Sequence, residues 1–150
     1  MQTFLPYADF IKSADILDKK RCWKQVVEAK QIISILSHLE ECPKDKVPWM
    51  NHPAVKMWVG YEAALKSYFD EFLWECTNIH GIHTKYKPYI FYGRYQSPWW
   101  LGNEEFHRAM RARLIEKDRD FYLPLFPEDE GYNDGKYWWP VMETKTFRII

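Results

Sequence analysis

The stretch Lys19–Glu40, KKRCWKQVVEAKQIISILSHLE, sets the reading of the whole chain. Its apolar residues Cys22, Val26, Ala29, Ile33 and Leu36 recur at intervals of 4, 3, 4 and 3. That spacing lines one face of an α-helix. Arg21, Lys24, Glu28 and Gln31 fall on a different, polar face. A helix with a single apolar stripe has to bury it against other elements, so the flanking segments are expected to supply them.

Upstream, residues 2–7 read as extended, because Pro6 disfavours helix just before it, and a short helix is expected from Ala8 to about Asp18. Downstream, Pro43, Pro48 and Pro53 make Cys42–Pro53 a loop. A long helix is predicted from Pro53 to about Thr77, with Trp58, Tyr61, Leu65, Tyr68, Phe72 and Cys76 on its buried side. His80–Asn103 has no regular pattern and is rich in rings: Tyr86, Tyr89, Phe91, Tyr92, Tyr95, Trp99 and Trp100. Irregular segments of that length are uncommon in compact domains and often functional. Asn103 reads as the N-cap of a helix from Glu104 to about Lys117, with acids in its first turn and bases towards its end. The tail after Asp118 contains Pro124, Pro127 and Pro140 and is expected to lie extended or coiled against the body. The fold class is therefore mainly α: one compact domain over residues 1–150, of about four helices, with a long aromatic loop and an extended C-terminal tail.

Aromatic residues make up 18% of the 150 residues, so some rings are expected on the surface as stacking or contact area. Formal net charge is zero, where a DNA-binding domain is usually basic. The charges are unevenly spread, however. Ile11–Lys30 holds six Lys/Arg against Asp15, Asp18 and Glu28, and Lys85–Leu114 holds six against Glu104 and Glu105. Acids gather later, at Asp118, Asp120, Glu128, Asp129, Glu130 and Asp134. A basic face with an acidic edge is compatible with that pattern.

The cysteines, Cys22, Cys42 and Cys76, are odd in number and form no CxxC pair, which suits a reducing, cytosol-like compartment. Met1–Ile11 lacks the pattern of a signal peptide, and no apolar run reaches the ~18 residues of a membrane span. The expectation is a cytoplasmic monomer without membrane association. No P-loop, dinucleotide fingerprint or HExxH motif is present. Cys76, His80 and His83, with His107, do not have a standard zinc spacing. Neither metal nor cofactor is expected.

Read singly, the polar candidates keep two meanings. Glu28 pairs with Lys24 across one helical turn or serves a site. Lys20, Arg21 and Lys24 touch phosphates or form a solvated face. Arg111 does the same or neutralises the acidic tail. Trp99 and Trp100 stack on a base or plug the core. His52, before Pro53, caps a helix or lies near a ligand.

Four segments carry a resemblance: MQTFLPY at the start, LDKKRCWKQVVEA at Leu17–Ala29, NHPAVKMWVGYEAAL at Asn51–Leu65, and PWWLGNEEFHRAMRARLIEKD at Pro98–Asp118. Together, in this order, they resemble the pyrimidine-dimer DNA glycosylases, the phage endonuclease V-like enzymes. The resemblance implies a base-excision DNA repair enzyme acting on double-stranded DNA with a damaged or modified pyrimidine. A free N-terminal amine would attack the sugar C1′, the base would leave, and β-elimination of the Schiff base would nick the strand. Glu28 falls on the family's catalytic glutamate. Since the bulky Gln2 follows Met1, the methionine is expected to stay, which makes Met1 the candidate nucleophile and leaves Thr3 internal; without an amine, water would serve and no strand nick would follow. Lys20, Arg21, Lys24, His52, Trp99, Trp100, His107 and Arg111 would hold DNA or line the pocket. The chain departs from the family where it has Cys22-Trp23-Lys24-Gln25-Val26 in place of Leu-Gly-Lys-Gln-Arg, and Ala109-Met110 in place of Ser-His. A non-catalytic nucleic-acid-binding or protein-interaction module on the same fold is the alternative.

Overall fold

A computed structural model describes residues 1–41, 47–90 and 94–150. Helix α1 spans Phe10–Ile16. It is shorter than the expected Ala8–Asp18 because the Asp9 carboxylate caps it, accepting from the amides of Ile11 and Lys12, and extended Leu17 ends it. Helix α2 spans Lys19–Glu41, and its whole predicted stripe, Cys22, Val26, Ala29, Ile33 and Leu36, is buried.

The single helix expected from Pro53 to Thr77 is two. Helix α3 spans Pro53–Lys56 and α4 spans Glu62–Asn78. Between them the chain turns through Gly60 at φ +84°, a left-handed conformation that glycine adopts without steric cost. The break leaves Trp58 fully buried, its indole donating to Thr3. Helix α2 packs along α4, and α1 packs on α4 as well.

Helix α5 spans Glu104–Lys117 and starts on the Asn103 cap as expected, the side-chain oxygen accepting from Phe106 N. Helix α6 spans Arg119–Tyr122. The tail is more ordered than an extended coil. Trp138–Val141 (β1) and Thr146–Ile149 (β2) pair antiparallel, Trp139 facing Arg148 and Pro140 facing Phe147.

The aromatic segment after His80 packs on the body. Tyr86 stacks on Trp23 at 5.8 Å, Tyr89 meets Phe69 edge-on at 5.1 Å, and Asp70 accepts from the amides of Tyr89 and Ile90. Much of the aromatic content thus forms an internal ring network; Trp49 and Trp74 are the exposed indoles of the described residues. The expected loop start at Cys42 and the rings of Phe91 and Tyr92 lie outside the described residues. Among the described residues no helix is long and apolar enough to cross a membrane.

Candidate functional site

The N-terminal segment is built into the domain residue by residue. Gln2 Nε2 donates to Met110 Sδ at 3.3 Å, and Thr3 Oγ1 accepts from Trp58 Nε1 at 3.1 Å. Phe4 N donates to Gln25 Oε1 at 2.7 Å, and Phe4 O accepts from the Tyr68 hydroxyl at 2.8 Å. Leu5 O accepts from His107 Nδ1 at 2.8 Å, and Pro6 O from Arg111 Nη1 at 2.8 Å. A segment that cannot pair with a sheet needs such partners for its buried polar groups. Val26 and Met110, two positions at which the chain departs from the pattern it resembles, are both buried, and Met110 meets Gln2.

These bonds carry Met1 to the wall of a cavity of about 260 Å³, which it shares with Gln2, Phe4, Lys24, Gln25, Glu28, His52, Lys117, Tyr137 and Trp139. Helix α2 presents Lys24, Gln25 and Glu28 there, because residues three and four apart share a face. His52 comes from the start of α3, Lys117 from the end of α5, and Tyr137 and Trp139 from the hairpin.

Among the described residues the Glu28 carboxylate and the Met1 amine make no ion pair, and the Glu28–Lys24 pair, the alternative reading of Glu28, does not form within 4.0 Å. His52 Nδ1 accepts from Ala54 N at 3.0 Å. Burial, and then the neighbouring N-terminal ammonium, pull the His52 pKa below its ordinary value. The ring is therefore neutral at pH 7 with its proton on Nε2. The Lys117 pKa is lowered by burial and then by Arg113, Lys24 and Arg21. A clustered set of cations around one carboxylate suits an anionic ligand that develops positive charge at its reacting centre.

The other expected site residues lie elsewhere. Thr3 is fully buried with its hydroxyl occupied by Trp58. Trp100 is fully buried, donating to Met57 O and packing edge-on against Trp58 at 5.0 Å, so it plugs the core. Trp99 is half-buried against Phe147, its indole N–H on Met142 Sδ. His107 is buried and bridges Leu5 O to the amide of Gly102, while Arg111 is buried between Asp129 and Glu104. Neither side chain is open to DNA; each holds the N-terminal segment instead. Arg21 binds Asp18, Asp118 and the carbonyl of Lys117, whereas Lys20 is exposed. Among the described residues no group of three or more His, Cys, Asp or Glu is placed to hold a metal ion.

Gln25, Lys117, Tyr137 and Trp139 escape the sequence reading. A lone glutamine on a helix carries no signal, and the other three are brought to α2 only by the tertiary fold.

A family model described as pyrimidine dimer DNA glycosylase matches residues 1–87, more than half of the 150-residue chain. The matched part contains Met1, Lys24, Glu28 and His52 and stops short of α5 and the hairpin. No curated protein and no solved structure matches.

Proposed function

The chain belongs to the pyrimidine dimer DNA glycosylase family, and from that premise we propose that it excises a damaged pyrimidine from double-stranded DNA at the cavity between α2 and the N-terminus. The observation that carries this reading is that the Glu28 carboxylate, in no ion pair among the described residues, shares one cavity with the Met1 amine. The C1′–N bond is out of reach inside an intact stack, so a nucleotide has to be flipped out. Lys24 and Lys117 offer charge to the flanking phosphates.

At the sugar, the neutral Met1 nitrogen supplies its lone pair to C1′ as the C1′–N1 bond breaks and its electron pair leaves with the base. Glu28 stabilises the cationic sugar and takes the proton that the amine gives up. The C1′–O4′ bond then breaks, O4′ taking the proton held by Glu28, to give a Schiff base; loss of a C2′ proton to the same carboxylate expels the 3′ phosphate and nicks the strand.

Incubation with ultraviolet-irradiated duplex, followed by borohydride, is the test. A covalent protein–DNA adduct that disappears when the N-terminus is blocked is expected. Alkali-labile sites without an adduct would replace the amine with water. Absence of both would overturn the glycosylase reading in favour of a binding module. Glu28→Gln should abolish base release and leave DNA affinity within about threefold; turnover retained in that variant would remove Glu28 from the mechanism.

A further inference from the structure

Gln25 is fully buried, yet its Nε2 has no hydrogen-bond partner among the described residues. The amide orientation is fixed from the other side. Phe4 N–H, which can only donate, lies 2.7 Å from Oε1, and the Tyr68 hydroxyl lies 3.1 Å from the same oxygen. Exchanging the amide ends would set N–H against N–H, so the two protons of Nε2 are left over. Leaving a buried donor unpaired costs roughly 1–3 kcal/mol, and native structures rarely tolerate it without a reason. Gln25 lines the same cavity as Glu28, one helical turn before it, and Met1.

We propose that the orphan Nε2 of Gln25 is the binding group for the C2 carbonyl oxygen of the pyrimidine being detached. The proposal rests on the glycosylase reading and extends it from the sugar to the leaving base. When the C1′–N1 bond breaks, its electron pair stays on N1 and spreads to the adjacent C2 carbonyl. In a cyclobutane dimer C5 and C6 are saturated, so that carbonyl is the one acceptor in conjugation with N1. A donor held in a dry site meets the charge as it develops and needs no reorganisation. O2 and C1′ are both bonded to atoms of the same short unit, C1′–N1–C2=O2, which matches two side chains three residues apart on one helix face. The carboxylate would face the sugar cation and the carboxamide the base anion.

Gln25→Glu tests this, since it keeps an oxygen for Phe4 N–H and turns the free donor into an acceptor. Removing a preorganised donor of this kind costs about 10²–10³ in rate. Single-turnover base release from a duplex with one cis-syn thymine dimer, measured below the Tm of the variant and at a pH where its buried carboxyl is ionised, should slow by at least about 100-fold, with duplex Kd near that of the parent. Release within about threefold of the parent would overturn the proposal. A second measurement does not depend on turnover. The ¹⁵N–¹H carboxamide signals of Gln25, assigned by their loss in Gln25→Glu, are followed in the Glu28→Gln protein as dimer duplex is added. A downfield shift on saturation supports the proposal, and unmoved signals overturn it. Failure of the parent protein to release base would sink the glycosylase reading alone, and the carboxamide signals would still decide the role of Gln25.

Discussion

His107 has both ring nitrogens committed: Nδ1 donates to Leu5 O, and Nε2 accepts from the amide of Gly102. Protonation would put a hydrogen on Nε2 and break the second bond. Burial accordingly holds the His107 pKa below its ordinary 6.5, as it does that of His52. The unfolded chain binds these protons near pH 6.5 and the folded chain does not, so stability is full above that pH and falls as pH drops through the window below it. Thermal unfolding measured from pH 7.5 to 5.0 should show Tm falling below about pH 6.5, with a shallower fall in His107→Gln; equal slopes in the two proteins would exclude His107 as a source. The sequence could not separate this histidine from a DNA contact. A histidine beside arginines looks the same in either role, and its partners, the carbonyl of Leu5 and the amide of Gly102, are backbone groups that leave no side-chain signature. Glu28 was legible only through the resemblance, since its spacing from Lys24 equally suits a surface pair.

Helix α5 is a clamp for the N-terminal segment. Arg111 binds Asp129 at 2.7 Å, Glu104 at 2.7 Å and Pro6 O at 2.8 Å, with its own side chain only 10% exposed. Truncating it strands the buried Asp129 carboxylate and the Pro6 carbonyl. Arg111→Met should therefore lower unfolding free energy by roughly 3 kcal/mol, measured by urea titration, whereas Glu104→Gln, at a 76% exposed side chain, should cost well under 1 kcal/mol. A loss near zero for Arg111→Met would contradict the clamp. At this scale the helices with strong periodicity were readable, α2 and α5 above all. The break at Gly60 was not, because one glycine in an otherwise helical pattern is usually tolerated. The hairpin was hidden by Pro140, which normally argues against a strand. Here Tyr137 and Ile150 exchange both backbone bonds, so the alternation of an antiparallel ladder puts Pro140 and Phe147 at a non-hydrogen-bonded pair, where no proline N–H is needed.

Across the whole molecule, a net charge of zero conceals a division of labour between arginine and lysine. Arg21, Arg108, Arg111, Arg113 and Arg119 are tied to carboxylates. Lys19, Lys20, Lys24 and Lys117 have no ion pair among the described residues. The other lysines among the described residues are likewise without an ion pair, as are Arg94 and Arg148; of this set Lys24, near the start of α2, and Lys117, at the end of α5, line the cavity. Composition alone could not reveal this, since counting charges treats a buried pair and a free lysine alike. The consequence is measurable through counterion release. Each phosphate contact contributes about 0.9 to the slope of log K against log salt on duplex DNA. Lys24→Ala and Lys117→Ala should each reduce the slope by about 1 and weaken binding equally on damaged and undamaged duplex. Arg111→Met, at temperatures where it stays folded, should leave the slope unchanged. Fluorescence anisotropy at four or five salt concentrations reads all three. A slope unmoved by both lysine variants would place the DNA on another face, and a slope reduced by Arg111→Met would mean that the α5 clamp opens when DNA binds.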